Sequence, residues 1–312
     1  MKVAVIDMGT NTFHLIVVEV LNSDFMITYR EKVPVKIGEK GINQGYITDE
    51  AINRALSCLK NFKTRIELEA VEQIFATATS AIRNATNGKD LVKLIEQETG
   101  IQTRIISGLE EAEYIYYGVK KALSIGNEPG LIMDIGGGSI EFIIGTDREI
   151  LWKQSFEIGG QRMVEQFQRT DPMSSDQIAA LEKYLEENLE ELFVNFEKYA
   201  PQTLIGSSGT FDTLSDIYCL KNDLEKPVID TEYPLTIEAF QSIHSEFLIK
   251  NREERLSIPG MIPLRVDMIV VASVLVHYVL RKLNINQIRV SAYALKEGVL
   301  LKTLNSLNNS GS

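Results

Sequence analysis

Three short glycine-bearing loops and a few acidic residues carry the chemistry that this sequence can offer. The first loop, Asp7-Met8-Gly9-Thr10-Asn11-Thr12, falls between two apolar, β-branched runs. Gly9 lets the backbone approach a ligand closely, and Thr10, Asn11 and Thr12 add hydroxyl and amide donors to the exposed N–H groups. That inventory suits phosphate oxygens, although it also describes a polar hairpin turn. The second loop, Asp134-Ile135-Gly136-Gly137-Gly138-Ser139, is more specific, because three successive glycines cost backbone entropy that a plain turn does not require. It reads as an anion-binding nest. Asp134 closes an apolar strand, where a buried carboxylate needs a metal, a water or loop donors. Glu141, on the returning strand, either joins it or faces solvent by simple alternation.

A third glycine turn, Gly206-Ser207-Ser208-Gly209-Thr210, joins an apolar strand to a helix. Backbone amides at a helix start favour an anion, which makes Ser208, Gly209 and Thr210 candidate phosphate ligands; taken alone the turn is also an ordinary capped one. Glu110 and Glu111 sit in the first turn of another helix. Carboxylates there complement the helix dipole, but a hydrolase wants a base at such a place, to orient and deprotonate a water in line with a bound phosphoryl group. Arg83 offers a guanidinium fork that matches phosphate bidentately, or else is a solvated arginine. His14, His244 and His277 show no metal-ligand spacing.

These residues need elements to position them. The runs at 2–6, 15–20 and 25–32 are apolar and β-branched and predict a hairpin-rich sheet. Residues 49–65 carry Ala51, Ala55, Leu59 and Phe62 at helical spacing behind a Thr48 cap. Strands at 71–76 and 103–106 flank a helix at 90–99, and the alternation indicates an α/β class. The second half begins the same way: aligning residues 6–17 with 133–144 superposes Asp7 on Asp134, Gly9 on Gly136 and Thr12 on Ser139. A repeat one domain apart predicts two like domains whose matching loops face each other across a cleft. Farther on, the sequence predicts one long charged helix at 175–197, a buried helix at 268–280, a strand at 288–290 and a closing helix at 293–304.

With 312 residues and 44% hydrophobic content, the chain exceeds the roughly 250 residues beyond which a single core becomes awkward, so two domains are expected. A net charge of −11, from 32 basic and 43 acidic residues, argues against a broad platform for nucleic acid. A polyanionic ligand therefore needs a local basic or amide-lined pocket. Cys58 and Cys219 stand alone, against a disulfide framework or structural zinc and in keeping with a reducing cytoplasm. The N-terminal run carries Asp7 and reads as a strand, not a signal peptide. The longest apolar run, 268–280, falls short of the about 20 residues that a bilayer needs, so no membrane partner is expected.

Taken together, DMGTNTFHLIV, ATATSAIRNA, ISGLEEAEYIYYGV, DIGGGSIEF, GSSGT, IPGMIPLRVDMIVVAS and SAYALKEG, in this order and over nearly the whole chain, resemble the exopolyphosphatase and guanosine pentaphosphate phosphohydrolase family (Ppx/GppA). The resemblance implies two actin-like, ribonuclease H-like α/β domains around an interdomain cleft, residues 1–123 with 296–312 and residues 124–295. It implies a cytoplasmic hydrolase that removes the terminal phosphate of inorganic polyphosphate or of guanosine pentaphosphate, commonly as a homodimer. Glu111 falls on the family's catalytic glutamate. Asp134 and Glu141 fall where a divalent cation, magnesium, is held, Glu141 also serving catalysis. Gly9, Thr10 and Asn11, with Gly137, Gly138 and Ser139, fall on the phosphate-gripping loops, Asp7, Thr12 and Gly136 beside them. Arg83 falls on the residue that neutralises charge on the transferred group. His14 stands where many relatives carry arginine, Lys296 where an arginine commonly precedes Glu297-Gly298, and Thr12 replaces a serine. The chain resembles the short, two-domain form. Three rival readings share this fold: an alarmone sensor that keeps the glycine loops and dispenses with Glu111, a phosphotransferase, against which the Glu110-Glu111 pair speaks, and a filament-forming relative, which would need exposed apolar interface segments that the sequence does not offer.

Overall fold

The computed structural model describes residues 1–21, 24–226 and 230–310, so residues 311 and 312 of the expected first unit lie outside the described residues. The first half runs β1 (Lys2–Met8), β2 (Phe13–Leu21), β3 (Asp24–Val33), α1 (Asp49–Leu68), β4 (Gln73–Ala78), α2 (Ser80–Asn84), α3 (Gly88–Thr99), β5 (Thr103–Ile105) and α4 (Gly108–Ala122). The second begins with β6 (Gly130–Ile135), β7 (Ile140–Gly145), β8 (Ile150–Phe156), α5 (Gly160–Phe167), α6 (Ser175–Asn188) and α7 (Glu190–Tyr199). It continues with β9 (Thr203–Ser207), α8 (Ser208–Lys221), β10 (Glu232–Tyr233), α9 (Ile237–Ile249), α10 (Arg252–Leu256), α11 (Met268–Lys282) and β11 (Gln287–Ser291). The final helix, α12 (Leu295–Ser310), returns to pack on α4 and β1.

The strands form two sheets, in the orders β3-β2-β1-β4-β5 and β10-β11-β9-β6-β7-β8. Each sheet opens with an antiparallel hairpin and adds a parallel strand on the other side of its first strand. The registers carry the repeat seen in the sequence. Asp7 lies opposite His14 and beside Thr77, while Asp134 lies opposite Glu141 and beside Ser207. These are two α/β halves of like topology.

Strand alternation divides the core. Ala4, Ile6 and Met8 face the helices α1 and α3, whereas Val3 and Val5 face α4 and α12. That second face also receives Ile132, Ile143 and Ile205 from the other sheet, so one apolar cluster spans both halves and fixes how their loops meet. In the second half α11 is buried along almost its whole length. Among the described residues no helix is long and apolar enough to cross a membrane.

One expected element divides. The single helix anticipated at 175–197 is α6 and α7, broken at Leu189, which is fully buried. The break lets Leu181, Leu185, Leu189 and Leu192 all stay in one core as the chain bends around it.

Helices α4 and α12 pack backbone against backbone, so that a Cβ on Gly298 would fall 1.7 Å from the carbonyl oxygen of Tyr114. Gly298→Ala should therefore cost about 1–3 kcal/mol of stability in urea unfolding, because backbone has to move. An unchanged midpoint would mean that the two helices do not pack this closely.

Candidate active site

The loop after β6 is built to offer its amides to a ligand. Its three glycine carbonyls are all occupied from behind: Gly160 N–H donates to Gly136 O at 2.9 Å, Gln161 N–H to Gly137 O at 2.8 Å and Gly159 N–H to Gly138 O at 3.1 Å. Arg162 Nε adds a bond to Gly138 O at 2.8 Å. The start of α5 thus holds the loop, and among the described residues the N–H groups of Gly137 and Gly138 have no acceptor. The same holds for Thr10 and Asn11 in the matching loop after β1. Such free, successive amides form an anion-binding concavity. The loops touch: a Cβ on Gly138 would meet Ser80 Oγ at 2.4 Å and Thr10 Oγ1 at 2.6 Å.

Between them lies a pocket of about 80 Å³. Of the expected residues, Asp7, Gly9, Thr10, Asn11 and Thr12 line it from the first half. Asp134, Gly136, Gly137, Gly138, Ser139, Glu141 and Ser208 line it from the second, and Glu111 from α4. Gly209 and Thr210 do not line it. Gly209 lies against the Arg265 guanidinium and Thr210 is fully buried in α8.

Four carboxylates converge here. Burial pushes Asp7 up to about 7, against the pull of Lys296 and with help from Asp134. Burial pushes Glu111 up to about 8, opposed by Arg83 and reinforced by Asp7 and Asp134. Asp134 is raised by burial although Ser207 Oγ donates to its Oδ2 at 2.7 Å. Glu141 is raised well above its usual value, by burial and then by Glu111 and Asp134, despite a 2.7 Å bond from Ser155 Oγ. Among the described residues nine buried side-chain polar atoms lack a partner, and four of them line this pocket: Asp7 Oδ1, Asn11 Oδ1, Thr12 Oγ1 and Arg265 Nε. Buried polar groups ordinarily find partners, so the concentration points to a polar ligand.

Arg83 does not line the pocket; its fork is taken. Nη1 donates to Glu111 Oε2 at 2.8 Å and to Ile106 O at 3.2 Å, and Nη2 donates to Glu157 Oε1 at 2.7 Å. Here it positions Glu111.

The sequence model of the Ppx/GppA phosphatase family matches residues 16–307. The chain belongs to that family. Among similar solved structures is an exopolyphosphatase from Cytophaga hutchinsonii, 43% identical, covering 98% of each chain with a TM-score of 0.95. A Haemophilus influenzae protein named putative exopolyphosphatase is 30% identical over 96% of this chain and 90% of its own. Exopolyphosphatase 1 of Mycobacterium leprae is 25% identical over 98% of this chain and 90% of its own. This phosphatase is a hydrolase.

For a member of this family, the donor set fits a hydrated divalent cation. Among the described residues no cluster of three or more His, Cys, Asp or Glu could hold a metal alone. Yet Asp7 keeps an unpartnered oxygen, and Asp134 lies close enough to raise it. One or two carboxylates, with water and phosphate oxygens completing the shell, is how magnesium is commonly bound.

Sequence reasoning missed Glu157 and Arg265. Glu157, between β8 and α5, accepts from Arg83 and Ser80 and lies 3.6 Å from Arg162, tying the halves together. Arg265 lies in the segment before α11 that the family resemblance quotes, but nothing local marks it as facing the cleft.

Because the folded-state values of Asp7 and Glu111 lie above the unfolded carboxylate value of about 4, their stabilisation is present at low pH and is lost as pH rises. The ligand-free protein in chelator should lose Tm between about pH 5 and about pH 8, and Asp7→Asn should flatten that slope. Calorimetric scans showing a rising Tm across this window would mean that the carboxylates do not crowd one another.

Proposed function

We propose that this cleft removes the terminal phosphate of inorganic polyphosphate by attack of water, with Glu111 as general base. The observation that carries the proposal is Glu111 itself: a buried carboxyl, raised to about 8 and fixed by Arg83, lining the same pocket as the free amides of both glycine loops. Burial strengthens the carboxylate's pull on a water proton, and the Arg83 guanidinium opposes the rise and favours the ionised form that can act as the base. The relatives named exopolyphosphatase favour polyphosphate as the anhydride.

The terminal phosphoryl group sits against the amides of Thr10, Asn11, Gly137 and Gly138, which stabilise its oxygens as charge builds on them. Glu111 orients the water and takes its proton as the oxygen bonds to phosphorus. The bond from that phosphorus to the bridging oxygen breaks, releasing inorganic phosphate and a chain one unit shorter. Bound at Asp134 and Asp7, with Glu141 adjoining, magnesium would neutralise carboxylates and phosphate oxygens together. Arg83 keeps Glu111 aimed, and the hydroxyls of Ser139 and Ser155 hold Glu141. The homodimer, the cytoplasmic setting and the division at residues 123 and 296 remain parts of this reading.

Glu111→Gln should lower kcat for phosphate release by about a hundredfold or more while leaving ligand Kd within a factor of about three. Phosphate release is to be measured with magnesium on long-chain polyphosphate, guanosine pentaphosphate and ATP. Retained turnover in the variant would remove Glu111 as the base, and release from guanosine pentaphosphate alone would move the substrate to the nucleotide. Arg83→Ala should depress kcat more than it weakens binding, since Arg83 acts through Glu111; an unaffected kcat would end its positioning role.

A further inference from the structure

The two halves of the cleft carry opposite chemistry on opposite sides of the reacting centre. Across the first sheet Lys32, His14, Asp7 and Thr77 form one row, because His14 pairs with both Lys32 and Asp7 and Asp7 pairs with Thr77. Glu111 belongs to the β4 end of that row: its partner Arg83 follows β4, and the start of α4 abuts Ser155 of β8. At the β2 end a second cavity of about 280 Å³ opens between β2, β3 and α8. His14 lines both cavities, so the two adjoin.

This second basin offers cations. Arg30, Lys32 and Lys296 line it, and among the described residues the side chains of Arg30 and Lys32 make no hydrogen bond or ion pair. Three carboxylates share the basin: Asp216 is neutralised by Lys226 at 2.7 Å, Glu31 accepts from the Tyr29 hydroxyl at 2.9 Å, and burial pushes Asp212 toward its neutral form. At the junction stands Arg265, buried, without an ion pair among the described residues and with Nε lacking an acceptor. In-line displacement at phosphorus places the entering water and the leaving oxygen on opposite faces. Water at Glu111 therefore puts the leaving group on the side of His14 and Arg265.

We propose that the basin between β2, β3 and α8 is the subsite for the phosphates beyond the scissile bond, with Lys32 and Arg30 as their outer ligands. The inference rests on the hydrolase reading and adds the direction in which the substrate lies. The recognised chemistry is a linear phosphate chain, whether from inorganic polyphosphate or from the phosphates of a nucleotide.

The test compares wild type, Lys32→Ala, Arg30→Ala and, as a charge-matched control, Arg104→Ala, whose residue on β5 pairs with Thr77 at the far end of the row. KM and kcat are measured on long-chain polyphosphate, guanosine pentaphosphate and pyrophosphate, and Kd for long-chain polyphosphate by calorimetry. Each basin variant should raise KM and Kd for long-chain polyphosphate about tenfold, with kcat within about twofold, since a lost charged contact is worth about that much. Pyrophosphate, too short to reach beyond the leaving phosphate, should respond less. A rise confined to the nucleotide would support the subsite and name the nucleotide as its occupant. Unchanged KM and Kd, or an equal rise in Arg104→Ala, would overturn it. If wild type releases no phosphate, the hydrolase reading fails, and the Kd comparison still decides the subsite.

Discussion

Four carboxylates are buried together in one cleft, and most of the site is arranged around the cost of that burial, to which repulsion from neighbouring carboxylates adds at Asp7, Glu111 and Glu141. Lys296 is set against Asp7, Arg83 against Glu111, two serines against Asp134 and two more against Glu141. None of these partners cancels the cost of burial, which remains the largest influence on all four groups. The protein holds the strain because a single core cluster joins the two sheets beneath the loops. Charge that the protein leaves unbalanced is charge that a bound cation and its phosphates can balance, so affinity for the ligand and instability without it share one origin.

Much of this was legible in the sequence, for identifiable reasons. The hairpins showed as β-branched runs around glycine turns, and the repeat showed because both halves place an aspartate at the same point before such a turn. The registers then reproduce the alignment residue for residue, Asp7 against His14 and Asp134 against Glu141. Spacing alone left Glu110 and Glu111 equivalent, and only the family resemblance chose Glu111. The fold separates them: Glu110 closes a capping box with Ser107 at the start of α4, as the dipole argument allowed, and Glu111 turns inward. Glu157 and Arg265 were not legible, since their roles come from segments far away in the chain. Nor was the bend at Leu189, because a helix that breaks to follow a curved core keeps the same apolar spacing on both sides of the break.

The repeat is also where the two halves part company. At the matching position one hairpin holds Glu141 and the other His14, whose imidazole is kept well below its usual range by burial and by nearby cations. A duplicated framework has thus been given an acidic edge and a basic one. On the proposed reading the glycine loops stay alike because both present amides, and their flanking strands differ because water and leaving group need different neighbours.

The path of the chain also has a mechanical consequence. It crosses between the halves after α4 and again before α12, and Thr231 joins the two crossings, its hydroxyl donating to Ala122 O and its carbonyl accepting from Ala292 N–H at 2.8 Å. Paired crossings stitched at one place make a hinge. From that hinge α4 reaches to the cleft as a lever, its 15 residues spanning about 22 Å, with Glu111 and Arg83 near its far end. Any rotation at Thr231 would be opposed farther out by the ties across the cleft, Arg83 to Glu157, Arg162 to Ile42 O and Asn43 to Glu165.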